Sequence, residues 1–212
     1  EVTRRQLQQA LFTAALPEVE TLAEHARVAA LRAHEPLAEI DAVVAEARLE
    51  AGDAAGAIAL LETVLPALER ADRRALAQVT LGSAQLAQGH AADALHSYER
   101  ALATATAYFG PEHPALDFYA HRRARGLRAT GHPEHARREL LRVLASRTAT
   151  LGADDRAIAS VLEDLAQCER ALDRRDDARA HLERAIAIRT AHYGPTHVRL
   201  AELYAALGDL DR

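Results

Sequence analysis

The residues best suited to chemistry in this 212-residue chain are 11 histidines, one cysteine and a scatter of paired acids. His132-Pro-Glu-His135 sets two imidazoles three positions apart, as a metal-binding pair would be. A turn ends and a helix begins between them, however, so the two rings need not share a face. His113, His132 and His197 fall in expected inter-helix turns, and neither a metal nor a cofactor is expected. Cys168 lies beside the small residue Ala166 with no histidine suggested as its base, so it reads as a packed thiol rather than a nucleophile. Glu163-Asp164 and Asp176-Asp177 fit exposed helix faces and helix starts. The chain has no phosphate-cradling glycine loop and no nucleophile elbow. No enzyme activity is expected of this segment.

The sharpest local signal is His121-Arg-Arg-Ala-Arg125-Gly-Leu-Arg128. Arg125 and Arg128 are three apart and His121 is four before Arg125, so on a helix the three share one stripe. Two readings stand. The stripe holds an acidic or phosphorylated peptide through guanidinium forks, or it is a solvated face pairing with Glu163 of the next helix.

Composition says which elements carry these groups. Hydrophobic residues make up 49% of the chain but aromatic residues only 4%, so alanine and leucine dominate the apolar set. Such small groups suit close helix–helix contact. Alanine, leucine, arginine and glutamate are strong helix formers, and with 10 glycines and 7 prolines the chain reads as all-α. A net charge of −5 argues against a nucleic-acid partner. No run of 18 apolar residues is present, so no membrane span is expected. The lone Cys168 excludes an internal disulfide and fits a reducing, cytoplasmic compartment. Lysine and asparagine are absent, a pattern that a GC-rich genome explains. The sequence begins at Glu1 and has no methionine, which leads us to expect an excised segment with targeting signals or a catalytic domain outside it.

A ruler runs through the chain. Phe-Gly-Pro at 109–111 and Tyr-Gly-Pro at 193–195 flank a worn Leu-Gly-Ala at 151–153, and Gly110, Gly152 and Gly194 are 42 residues apart. The segments 44–65, 81–102, 123–144 and 165–186 each hold two helical runs around a short turn. After the turn come Ala57, Ala94, Ala136 and Ala178, then four on Leu61, Tyr98, Leu140 and Leu182, then three on Val64, Ala101, Val143 and Ala185. Steps of four and three keep these on one face. The preceding helix carries Ala45, Gly82, Ala124 or Ala166 where the second must come close. A single hairpin cannot bury this face, so hairpins stack.

Leu81-Gly82, Gly89, Ala94, Tyr98, Ala101 and Leu102 resemble the tetratricopeptide repeat consensus, and the 42-residue spacing is similar to the subclass of kinesin light chains and bacterial signalling proteins, including the C-terminal regions of serine/threonine kinases. The position-four aromatic of that consensus is replaced by Asp41, Gln78, Ala120 and Leu162. The resemblance implies a right-handed superhelical solenoid of about eleven helices. Residues 1–34 are expected to form a degenerate capping pair split at Pro17, with a capping box at Thr3-Arg-Arg-Gln6. Four repeats are expected at about 37–68, 72–108, 114–150 and 155–191. Residues 196–212 are expected to be the first helix of a truncated fifth repeat or a C-terminal cap, leaving Leu200, Leu203 and Leu207 as an open apolar edge. Gly110 and Gly194 are expected in the left-handed helix-ending conformation, with Phe109 and Tyr193 packing across the joints.

The resemblance also implies a concave groove lined by first helices. It takes Glu39, Ala42, Glu46 and Leu49, then Leu76, Val79, Ser83 and Leu86. Phe118, His121, Arg125 and Arg128 follow, with Arg122 in the same run, and then Ser160, Glu163, Gln167 and Arg170. The expected partner is a protein or peptide, acidic or phosphorylated. Chaperone-type clamping of a terminal carboxylate is not expected, because that groove uses lysines and asparagines. Alternative readings are a sensor region of a bacterial kinase or transcription regulator, and self-association or homodimer formation through the C-terminal edge.

Overall fold

In the computed structural model the described residues are 16–33, 36–196 and 198–210. They form ten α-helices and one 3-10 turn, with no strand among them. The helix expected within residues 1–15, the Thr3–Gln6 box and His197 lie outside the described residues.

The chain divides into two units at His113. Unit one contains α1 (Leu16–Ala33), α2 (Leu37–Glu50), α3 (Ala54–Val64), the 3-10 turn Leu65–Ala67, α4 (Ala71–Ala87) and α5 (Ala91–Phe109). Unit two contains α6 (Leu116–Ala129), α7 (Pro133–Leu151), α8 (Arg156–Ala171), α9 (Arg175–Tyr193) and α10 (Val198–Leu210). Within each unit every helix packs on its neighbour in sequence.

The small-residue pattern is the packing. Ala45, Ala57, Ala94, Ala124, Ala136 and Ala178 are 0% exposed, and Leu61, Tyr98 and Leu140 are equally sealed. Gly82 shows how close two helices come. A methyl built on it would lie 2.8 Å from Tyr98 Cε1 and 3.0 Å from the Ala94 carbonyl oxygen. The Tyr98 ring cannot withdraw, because it is fully buried and its hydroxyl is hydrogen-bonded to Ser83 Oγ at 3.1 Å.

Two kinds of turn separate the helices. Inside hairpins, Gly52, Gly89, Gly131 and Asp173 have positive φ. Each donates its N–H to the carbonyl three back, and the next residue donates to the carbonyl five back, as His90 does to Gln85 and Arg174 to Glu169. This is a Schellman closure, with Asp173 at φ 58° where the other hairpins use glycine. Between hairpins, Gly110 has φ 91° and ψ 157°, and Gly194 has φ 82° and ψ 165°. The positive φ is as expected, but the extended ψ is not left-handed helical; it belongs to the region that only glycine enters cheaply. Gly110, Gly152 and Gly194 donate to the carbonyls four back, at Thr106, Thr148 and Thr190. Those threonines repeat on the same 42-residue interval.

Two expectations are corrected. Helix α3 stops at Val64 instead of running to 68, because Pro66 has no N–H to continue an α-helix and the chain tightens into a 3-10 turn. Leu200 and Leu203 are not an open edge. They are 2% and 7% exposed, packed with Ile186, Ile188 and Leu210 in one cluster, because α10 covers α9. Phe109 stacks on His113 of its own turn at 4.8 Å, and Tyr193 is 42% exposed.

Gly82→Ala should lower unfolding free energy by about 1–2 kcal/mol, because overpacking a sealed contact outweighs the roughly 1 kcal/mol that alanine contributes to helix propensity. Urea denaturation at constant slope measures it, and a more stable variant would contradict the close-approach account.

Candidate functional site

In unit two the first helices α6 and α8, together with α10, present side chains to one cleft of about 540 Å³. Arg128 comes from α6, Glu163, Gln167 and Arg170 from α8, and Glu202 and Leu203 from α10. The helical step makes this convergence. Glu163, Gln167 and Arg170 follow at intervals of four and three, so one face of α8 carries them all. Leu182, Leu203, Ala166 and Ala206 supply the apolar part of the wall.

Beneath the arginines lies a polar network. His121 is 8% exposed, and its Nε2–H donates to Asp164 Oδ2 at 2.7 Å. Arg125 Nε stands 3.9 Å from the same oxygen. The imidazole is held below its ordinary range chiefly by burial; Asp164 opposes this, and the Arg147 and Arg122 charges reinforce it. Burial works to raise the Asp164 carboxyl, but the His121 hydrogen bond and the Arg125 and Arg128 charges overcome it and hold the carboxyl below its ordinary value. A neutral imidazole therefore donates to an ionised carboxylate at neutral pH.

The acid in this network is Asp164, not the Glu163 expected from the sequence, and Asp164 is correspondingly not on an exposed face. Glu163 turns the other way and pairs with Arg189 of α9. Two consecutive residues on a helix point about 100° apart, so which of the two meets α6 depends on how the helices cross. Arg128 and Arg170 make no ion pair among the described residues, and Arg128 Nε is buried without a hydrogen-bond partner there. Arg122 lies over the Phe118 ring, 5.3 Å from its centre.

Unit one places its expected groove residues differently. Leu76 is 40% exposed and Leu86 half-buried, whereas Val79 is 5% exposed and Ser83 is tied to Tyr98. Glu39 approaches Arg70 to 3.9 Å.

Other chemically capable groups serve packing. Glu169, 0% exposed, joins Arg137 of α7 at 3.3 Å to His181 of α9 at 2.7 Å. Cys168 is fully buried, and burial pushes its thiol up to about 11. The His132 and His135 rings are near-parallel with centroids 6.1 Å apart, closer to sharing a face than the intervening turn suggests. Among the described residues no group of three His, Cys, Asp or Glu gathers as metal ligands would, and no helix is long and apolar enough to cross a membrane.

Residues 73–149, 136–191 and 157–212 match the sequence profile of the tetratricopeptide repeat family, more than half of the chain. A search of curated protein sequences finds no match. Among solved structures, one from Podosopora anserina, described as kinesin light chain nearly identical TPR-like repeats, is 25% identical with a TM-score of 0.63, over 91% of this chain and 93% of that one. BtubC (BKLC) from P. vanneervenii is 22% identical with a TM-score of 0.67, over 99% of this chain and 83% of its own. A Rap protein complexed with Competence and Sporulation Factor is 15% identical with a TM-score of 0.74, over 99% of this chain and 59% of its own. The last two likenesses concern the fold alone.

His121 supplies a pH prediction. Its folded pKa lies below the unfolded value near 6.5, so below about pH 6.5 the unfolded chain binds the extra proton and stability falls as pH is lowered toward the folded pKa. His121→Gln should flatten this part of the stability–pH curve, and thermal melts from pH 7.5 to 5 measure it; an unchanged slope would contradict the assignment. The buried, protonated Cys168 should react with iodoacetamide only as fast as the protein opens, so labelling should become rapid in denaturing urea. Prompt labelling of the folded protein would place the thiol at the surface.

Proposed function

Since the chain belongs to the tetratricopeptide repeat family, we propose that it works as a non-catalytic scaffold, in a reducing cytoplasm, holding an acidic or phosphorylated peptide of a partner protein in the α6–α8–α10 cleft. The observation that carries this is the pair Arg128 and Arg170. Both line the cleft, and neither has an ion-pair partner among the described residues. Several other guanidinium groups in unit two are engaged. Arg189 holds Glu163, Arg123 holds Glu139, and Arg137 holds Glu169. Unpaired guanidinium forks beside an apolar wall suit a carboxylate or phosphate with a neighbouring apolar side chain. Gln167 between them offers a neutral amide to the guest backbone, and Glu202 on the α10 wall repels acidic groups from its own side, which confines them to the arginines. The Asp164–His121 pair supports this reading from below, since it fixes the α6 stripe from which Arg128 projects.

Fluorescence polarisation with a labelled glutamate-rich peptide and its phosphoserine counterpart tests the reading. Arg128→Glu with Arg170→Glu should weaken binding at least about tenfold, the scale of removing charge-assisted hydrogen bonds, and added salt should weaken the parent interaction. Equal binding by parent and variant would remove the cleft from consideration.

A further inference from the structure

Unit one has a second cleft, of about 780 Å³, on the side of the second helices. Its floor comes from α4 and its walls from α3 and α5. It exists because the hairpin is incomplete in two ways. Helix α3 has 11 residues where α5 has 19, so its last turns are missing from one wall. The floor carries Gln78 where the family consensus has a large aromatic ring.

Gln78 is 3% exposed, and its Oε1 accepts from the Thr104 hydroxyl at 3.0 Å, a hydrogen shared with the Arg100 carbonyl at 2.8 Å. Its amide nitrogen has no partner among the described residues. One cleft-length along α4, Gln85 repeats the arrangement, with Oε1 accepting from Ser97 Oγ at 2.7 Å. Both carboxamides are thus anchored by their oxygens, which leaves two N–H₂ groups to serve whatever enters. A guest that displaced water from these donors without offering an acceptor would leave them unsatisfied, so the cleft selects for carbonyl-bearing guests.

The spacing narrows the choice. Gln78 and Gln85 are seven residues apart, about 10.5 Å along the helix axis at 1.5 Å per residue. A β-strand presents carbonyls to one side about every 6.6 Å. An α-helical guest has already used its carbonyls internally. A polyproline II segment advances about 9.3 Å per three-residue turn and leaves its carbonyls free, and it alone brings two same-side carbonyls within about 1 Å of the amide spacing. Charge adds no preference, since Glu62 and Asp93 line the same cleft as Arg74 and Arg100. Walls of balanced charge suit an uncharged backbone.

We propose that this cleft is a second recognition site, taking an extended, polyproline II segment of a partner protein through the Gln78 and Gln85 amides. It is independent of the arginine cleft in unit two. The test is ¹⁵N NMR of the full chain titrated with capped octaproline, with a capped (Gly-Ser)₄ peptide for comparison. Octaproline should shift the side-chain amide signals of Gln78 and Gln85 saturably, and the glycine–serine peptide should not. Gln78→Leu should weaken octaproline binding about fivefold or more, the scale of one neutral hydrogen bond. Arg128→Glu with Arg170→Glu should leave it unchanged. Should Gln78→Leu fail to fold, as melting would show, Gln85→Leu at the half-buried end takes its place. Equal shifts from both peptides, retained binding in the glutamine variants, or shifts confined to α6, α8 and α10 would each overturn the proposal.

Discussion

Close approach of helix backbones at alanine and glycine is the constraint on which the rest of the structure depends. Ala45, Ala124 and Ala166 on first helices meet Ala57, Ala136 and Ala178 on second helices, all 0–1% exposed. Gly82 goes further and accepts the Tyr98 ring against its bare α-carbon. Small groups at a crossing contribute little burial themselves; they bring the flanking leucines, isoleucines and valines within reach of the neighbouring helix, where most apolar area is removed from water. A chain with only 4% aromatic residues can pack well on these terms.

The polar ties follow from the same geometry. Once helices lie close, a buried acid can be reached from both flanking helices. Glu169 of α8 is answered by Arg137 from α7 and by His181 from α9. Asp164 is answered by His121 and, at longer range, by Arg125 of α6. A buried carboxylate without such partners would be costly, so these pairs act less as added stability than as a condition on register. Sliding α8 by one residue in the sense that brings Leu165 to His121 would leave the imidazole without its acceptor.

Sequence legibility follows this order. The small-residue crossings could be read directly, because they recur at intervals that only a helical face explains. The helix ends could be read to within two residues nearly everywhere, since glycine and proline act locally. What could not be read depends on the angle at which helices meet. Glu163 and Asp164 are equivalent in sequence, and the crossing of α6 and α8 chooses between them. Leu200, Leu203 and Leu207 look unpartnered in sequence because the helix they meet precedes them; in the structure they pack with Ile186 and Ile188 of α9. Gly110 and Gly194 announce a positive φ, whereas ψ is set by where the next helix must begin.

Arginine explains why some cations are engaged and others are not. All 26 lysine-or-arginine positions are arginine, so every fixed cation carries five donors in a planar fork. At the joints one fork serves several acceptors. Arg147 donates to the carbonyls of Asp117 and Ala157 in the first turns of α6 and α8, and Arg184 to that of Ala153 in the turn before α8, which ties helix starts to the neighbouring second helices. In the last turns of α6 and α8 the end carbonyls are already taken by the Schellman closures, those of Leu127 and Arg128 by His132 and Gly131, and those of Glu169 and Arg170 by Arg174 and Asp173. Arg128 and Arg170 occupy such positions, and their forks can be satisfied only by water or by a guest. The same residue type thus ties helix starts within the scaffold and, on the proposed reading, meets the guest in the cleft.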